Sequence, residues 1–371
     1  MSKRTRNIIV VIGVLIIYFV ISYYIYLKFS NKQELKETEN VEVVPTKRDI
    51  ITKDAAWCGT FQLVWNDMKN EVVKKDIVFD EGNPKIVDNL NLEEFTDSMI
   101  SSDYYYKIYG LKSPELKEVI EKGILEKFNQ KSDILDDFDW SNDALNDPNN
   151  AYERRYFFYT MLYRKFKFLK EFKLLDKSSF ADKYDNIEYF GIDENSEDEV
   201  RNQIEVLFYN SKDDFAILLN TKSNDEVIYY KNPTGDNFNK IYTNMISKSK
   251  MFRGNTTFGE TDEFKAPKMS FNIKREYTEL EGKPFNTLDP KYDKAEIEKA
   301  IQTIKFSIDE KGGEIKSEAA IDVRNYATAY NPSTKEKRYF NVDDTFVLFL
   351  REKGKDTPYF AARVEDISKF I

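Results

Sequence analysis

Apolar positions along this chain follow two periodicities, one helical in the first part and one strand-like in the rest. From residue 54 onward Trp57, Phe61, Val64, Trp65 and Met68 recur at three- and four-residue intervals, which predicts an amphipathic helix with Cys58 near its apolar face. Ser113-Pro114-Glu115 supplies an N-cap, a first-turn proline and an acidic first turn, and Leu116, Val119, Ile120, Ile124 and Phe128 continue it as a second helix. Beyond Tyr152 the pattern changes. Residues 156–163 are aromatic and apolar, and residues 204–209 and 215–219 flank the turn Asn210-Ser211-Lys212-Asp213-Asp214 as a β-hairpin. Met269, Phe271 and Ile273 alternate with polar residues, as do Ile304, Phe306 and Ile308 before Asp309-Glu310-Lys311-Gly312-Gly313. Residues 345–350 form an almost uninterrupted apolar run, which predicts a strand buried on both faces. A charged turn, Glu352-Lys353-Gly354-Lys355-Asp356, then leads into a second strand over 359–364. Helices early and strands late, without a repeat or a Pro/Gly-rich linker, predict one α+β domain.

The N-terminus predicts a membrane segment. Residues 8–27 are apolar and aromatic apart from one Gly and one Ser, and Lys3, Arg4 and Arg6 precede them. Twenty residues at about 1.5 Å each match the hydrocarbon core of a bilayer. The flanking charges orient the chain with residues 1–7 cytoplasmic, a transmembrane signal anchor at 8–27, a polar tether at 28–49 and an extracellular domain at 50–371. Ser22-Tyr23-Tyr24-Ile25-Tyr26-Leu27 offers no small-residue cleavage site. A cleaved secretory signal is the alternative, and it also exports the domain.

Composition narrows the chemistry. The 371 residues carry a formal net charge of -9, which argues against a nucleic-acid partner, because phosphate binding rests on a basic footprint. There is no histidine, so Ser-His-Asp and Cys-His catalysis are excluded. Cys58 alone makes neither a zinc site nor an intrachain disulfide. Asp136, Asp137 and Asp139 lack the loop glycine and closing Glu of a calcium loop and predict a solvated acidic turn. No metal and no cofactor is expected. Acid-base chemistry by Asp and Glu needs no histidine, but nothing in the sequence places two carboxylates in one cleft, and the chain is not read as an enzyme.

The segment Arg338 to Val364 carries an aromatic, Asn, an acidic residue two further on, then Phe and an apolar run ending in Arg. This order resembles the C-terminal signature of serpins, whose members close with that hairpin. Tyr163-Arg164-Lys165-Phe166 and Phe172 resemble the family's strand-end motif, and residues 204–219 its hairpin. Ala266-Pro267-Lys268-Met269-Ser270-Phe271 resembles its Leu-Pro-Lys-Phe segment, and Leu280 to Phe285 sits where Leu and Phe follow it. Ile308-Asp309-Glu310-Lys311-Gly312 resembles the end of the central strand that leads into the reactive loop. Asp76-Ile77-Val78-Phe79 is a faint counterpart of an earlier strand. The resemblance covers the C-terminal two-thirds of the domain and implies a serpin-like fold, with helices packed on large, mostly antiparallel sheets.

It also implies a function. An inhibitory serpin offers an exposed loop as bait and, once cut, inserts the loop's first part as an extra central strand. The family's hinge corresponds to Ser317-Glu318-Ala319-Ala320, the inserting segment continues through Ile321 and Val323, and the scissile bond falls near Tyr330-Asn331. A Tyr there implies a chymotrypsin-like or subtilisin-like target. Ser317, Ala319, Ile321 and Val323 fall on one face, while Glu318, Ala320, Asp322 and Arg324 fall on the other. The chain departs from the family at Lys316, which precedes the hinge in place of Gly, at Thr160 in place of Asn, and at Phe166 in place of Gly. Ile321 and Val323 are stiff at χ1. Two functions stay open: a cell-surface inhibitor of serine or cysteine proteases, and a non-inhibitory binding or structural protein with an unknown surface partner.

Overall fold

The computed structural model describes residues 37–141, 155–193, 196–289, 293–315 and 337–371. Within residues 37–371, a single compact unit, the folded chain begins inside the expected tether. Strand β1 (Glu42–Val43) pairs in parallel with β2 (Ala55–Cys58), and Val41, Val43 and Val44 are buried. The apolar valines and the backbone pairing draw residues 41–49 into the domain. The expected first helix is also shorter. Trp57 and Cys58 belong to β2, which pairs with the C-terminal strand of the hairpin, and helix α1 (Thr60–Asp67) starts only after Gly59.

The remaining elements follow in order. They are α2 (Lys85–Asn91), β3 (Tyr105–Leu111), α3 (Pro114–Phe128), β4 (Tyr156–Leu162), β5 (Arg164–Lys167), β6 (Lys173–Phe180), β7 (Tyr184–Ile192) and α4 (Asp198–Arg201). Next come β8 (Ile204–Ser211), β9 (Asp214–Asn220), β10 (Asp225–Lys231), α5 (Phe238–Met251), β11 (Glu263–Pro267) and β12 (Met269–Glu276). Last are β13 (Phe285–Asn286), β14 (Lys294–Ala295), β15 (Ile301–Asp309), β16 (Gly312–Ile315), β17 (Tyr339–Asn341), β18 (Phe346–Glu352) and β19 (Pro358–Val364).

The apolar C-terminal run lies in the middle of a seven-stranded sheet, in the order β1-β2-β19-β18-β10-β9-β8. Phe346 to Leu350 are fully buried there, as a two-sided apolar run requires. Two four-stranded sheets, β17-β11-β7-β6 and β12-β15-β16-β5, complete the main framework. Phe306 of β15 stacks on Phe360 of β19 at 4.9 Å, which joins the second of these sheets to the C-terminal hairpin. Helix α3 has the expected cap, with Ser113 Oγ accepting from the Leu116 amide at 3.2 Å. Its Ile120, Ile124 and Phe128 pack with Phe157, Tyr159 and Met161 on one face of β4.

The segment 76–79 makes one isolated bridge, Phe79 to Phe285, instead of a strand. Residues 8–27 lie outside the described residues. Among the described residues no helix is long and apolar enough to cross a membrane.

Candidate functional site

Strand β15 is the central feature. One edge pairs with β12 along the whole strand, from Ile301 to Ile308. The other edge pairs with β16 only at its far end, where Phe306 meets Ile315 and Asp309 meets Gly312. The chain reverses between them through Asp309, whose Oδ1 accepts from the Lys311 amide at 2.9 Å. Gly312 has φ +148, and a Cβ there would lie 2.1 Å from the Phe166 carbonyl oxygen. Only glycine fits this turn.

Strand β16 is flanked on its second side by β5, with Gly313 opposite Phe166 and Ile315 opposite Arg164. Both ladders are antiparallel. Past Ile315 the two flanking strands separate. β4 pairs with β3 through one edge; among the described residues its other edge, and the edge of β15 away from β12 along residues 301–305, have no strand partner. Both edges line one cavity of about 750 Å³ that ends against Ile315, with Phe61, Val64, Trp65 and Met68 also lining it. Thr160 Oγ1, in the β4 wall, is buried without a hydrogen-bond partner.

The closed end is held by a buried ionic network. Arg164 on β5 donates through Nε to Asp225 Oδ1 at 2.9 Å, and its second nitrogen bonds Asp225 Oδ2. Tyr359 of β19 donates to Asp225 Oδ1 at 2.7 Å. The guanidinium lies 3.3 Å from the Tyr104 ring centre. Burial works against the charge of Arg164, but Asp225 outweighs it and holds the guanidinium above its ordinary range. On the opposite face Tyr163 donates to Glu314 Oε1 at 2.5 Å. These contacts fix β5 beside β16 and tie both to β10 and β19.

Ser317, Glu318, Ala319, Ala320, Ile321 and Val323, together with Tyr330 and Asn331, lie outside the described residues, in the segment 316–336. The flanks are described. Strand β16 runs up to that segment, and after it β17 pairs in parallel with β11. The sequence located the turn after β15 but missed that Gly312–Ile315 forms a strand of its own. Its signal was the glycine pair opposite a bulky Phe166. Cys58 is buried, which pushes its thiol up to about 11 and disfavours the reactive thiolate. Among the described residues no cluster of acidic or thiol groups is arranged to hold a metal ion. Asp136 pairs with Lys117 at 2.6 Å and Asp137 with Lys274 at 2.8 Å.

The buried closing hairpin, the β8–β9 hairpin in the same sheet, and β15 turning back at its glycines are the landmarks the sequence resemblance named, in the same order. The fold is serpin-like. Similar solved structures include thyroxine-binding globulin in complex with thyroxine, at 14% identity and TM-score 0.41, covering 68% of this chain and 64% of that one. The match thus spans less than two thirds of that protein. Human thyroxine-binding globulin with the same ligand is similar at 12% identity and TM-score 0.42, over 73% of this chain and 78% of that chain. Serpin48, a highly specific serpin of the insect Tenebrio molitor, is similar at 15% identity and TM-score 0.39, over 72% and 78%. At these TM-scores the superpositions add nothing beyond the landmarks. No protein-family model matches the chain, and neither does any curated protein.

Proposed function

We propose that this chain is a serpin-like inhibitor of serine or cysteine proteases, presented at a cell surface by its N-terminal apolar segment. In this reading a protease cuts the segment between Ile315 and Lys337, and the part after Ile315 enters as a continuation of β16. The observation that carries it is β16 itself, seated between β15 and β5 and in line with the cavity between the unpaired edges of β4 and β15.

Continuing both ladders supports the same conclusion. Position 317 comes beside Ile304 and Leu162, 319 beside Gln302 and Thr160, and 321 beside Ala300 and Phe158. These share the inward face of Ile315, which is buried. The residues at those positions are Ser317, Ala319 and Ile321, with Val323 next, so no charge is driven into the core. Each inserted residue gains ladder hydrogen bonds, and burying Ile321 and Val323 contributes roughly 1.5–3 kcal/mol apiece. Such insertion is the driving force that a trapped acyl-enzyme requires. No residue of this chain acts as a catalyst in it.

The test is to mix the full chain with chymotrypsin-like and subtilisin-like proteases. The expected result is cleavage near Tyr330-Asn331, an SDS-stable adduct and a rise in thermal stability of the cleaved chain. Cleavage without adduct and without added stability overturns the inhibitor. That outcome would favour the second reading, a non-inhibitory surface binding or structural protein, which has in its support that β16 is paired before any cleavage. Membrane attachment is tested separately, by fractionating cells that express the chain with and without residues 8–27.

A further inference from the structure

Strand β3 has one edge on β4 and the other open. The Lys112 amide donates to the Arg155 carbonyl at 2.7 Å, and the Tyr163 amide to the Tyr104 carbonyl at 3.4 Å. Both pairs keep the register of the β3–β4 ladder, in which Tyr105 stands opposite Leu162 and Leu111 opposite Tyr156. Even-numbered residues of β3 therefore bond β4, and Tyr105, Lys107, Tyr109 and Leu111 turn their N–H and C=O groups away from it. Among the described residues no strand meets that outer edge. It runs from Tyr105 to Leu111 without proline or register shift, and Tyr109 and Leu111 are 39 and 49% exposed. Lys107, the one charged residue of the strand, is drawn to Asp67 and Asp97, each at 2.6 Å. Other outer edges are covered or bent, the usual protection against pairing. Val206 of β8 donates to the Thr256 carbonyl, Asn272 of β12 is bonded through both its amide and its carbonyl to Thr38, and β6 carries two register shifts.

We propose that β3 pairs antiparallel with β3 of a second copy of this chain, about a two-fold axis through Ile108, to form one sheet in the order β4-β3-β3-β4. The strand is self-complementary in that register. Tyr105 faces Leu111 of the second copy and Lys107 faces Tyr109, so every outward N–H and C=O of the strand finds a partner. No like charges oppose each other. On the face toward α3, Ile108 meets Ile108 on the axis, and the Tyr106 ring lies over Gly110 of the second copy, which has no side chain to fill that space. Tyr106 is held on this face by its hydroxyl, which donates to the Val119 carbonyl at 3.5 Å. A one-residue slip would set outward groups against groups already bonded to β4. A two-residue slip would set Lys107 against Lys107 in one direction and leave Tyr105 without a partner in the other. The pairing needs neither loop cleavage nor insertion, and it stands or falls apart from the inhibitor reading.

The experiment oxidises the full chain in detergent with copper phenanthroline and reads its mass on non-reducing gels. Wild type is the background, because Cys58 is buried. Ile108→Cys sets two thiols opposite each other at a non-hydrogen-bonded pair, with Cα atoms about 4.5 Å apart and within disulfide reach. Tyr106→Cys sets them four positions out of line, roughly 13 Å apart. Adding Tyr109→Pro to Ile108→Cys removes an outward N–H and leaves the ladder with β4 intact. The expected result is a doubled mass for Ile108→Cys, no doubling beyond wild type for Tyr106→Cys, and loss of the doubling in the proline chain, whose thermal melt shows it folded. An unchanged mass in Ile108→Cys, or equal doubling in the two single-cysteine chains, overturns the pairing whether or not the proline chain folds. Doubling that persists in a folded proline chain overturns it as well.

Discussion

Gly313 faces Phe166 across the β16–β5 ladder, and the phenyl ring occupies the space that a Cβ on Gly313 would need, 2.5 Å from its Cζ. The sequence has Phe166 where the serpin pattern has Gly, and the bulk added on one strand is matched by its absence on the other. The close packing of this pair keeps β16 seated at the closed end of the cavity.

Gly313→Ala should therefore destabilise the chain by about 1–3 kcal/mol, the usual cost of overpacking. Adding Phe166→Leu should recover only part of the loss, because the new Cβ would still lie 2.7 Å from the Ser307 carbonyl oxygen. Urea unfolding of the four chains of this cycle checks it; full recovery in the double variant would show that the ring alone sets the constraint.

Asp225→Ala should cost roughly 3–5 kcal/mol, since it leaves the Arg164 guanidinium buried without its counter-charge. Tyr359→Phe removes one hydrogen bond to the same carboxylate and should cost about 1 kcal/mol. Comparable losses in the two variants would mean that the charge pair is not what anchors β5.

The register of the proposed insertion separates neighbouring positions. Ala319→Glu puts a charge on the inward face and should abolish the stability gained after loop cleavage. Ala320→Glu puts it on the outward face and should preserve most of that gain. Thermal melts of the cleaved variants decide, and a reversed outcome would shift the ladder by one residue.

Stability should depend on Lys47 in alkaline solution. Burial lowers its pKa from 10.5 to about 8, against the pull of Glu94. Above that value the native chain holds Lys47 neutral while the unfolded chain still binds the proton, so stability rises with pH through this window. Lys47→Met should be the more stable chain at neutral pH. Its advantage should shrink between pH 8 and about 9.5, by at most about 1.4 kcal/mol per pH unit. Urea midpoints of both chains across that range measure the effect, and parallel pH profiles would contradict it.

Cys58 should resist thiol reagents in the folded chain and react on unfolding, as burial and a thiol pushed up to about 11 require. Mass spectrometry after brief alkylation with and without urea reads this directly. Modification of the native chain would mean that reagent reaches the thiol through the cavity that Cys58 helps to line.

Much of the framework was legible beforehand. The apolar run at Phe346 to Leu350, the alternation of Phe271 and Ile273 with that of Phe306 and Ile308, and the cap at Ser113 each record a local environment, buried on two faces, on one face, or at a helix end. Several elements passed unnoticed, helix α5 and strand β10 among them. Helix α5 carries Asn237 as its cap and buries Phe238, Ile241, Tyr242 and Met245, a spacing that was available to find it. Strand β10 is buried throughout but has too many charged residues for its sequence to say so; Asp225 and Glu226 are buried because Arg164 and Arg351 reach them.

The sequence by itself determined which segments are apolar, how they alternate, where the chain turns at its glycines, and which residues would face inward if the segment after Ile315 extended β16. Only the tertiary structure decided that Trp57 and Cys58 join a strand, that residues 41–49 belong to the domain, that Gly312–Ile315 is seated beside β5, and that a cavity separates β4 from β15. The reason is one of range. Periodicity reports the surroundings of a residue and its near neighbours, whereas strand partners and the gap between two strands are set by contacts between segments far apart in the chain.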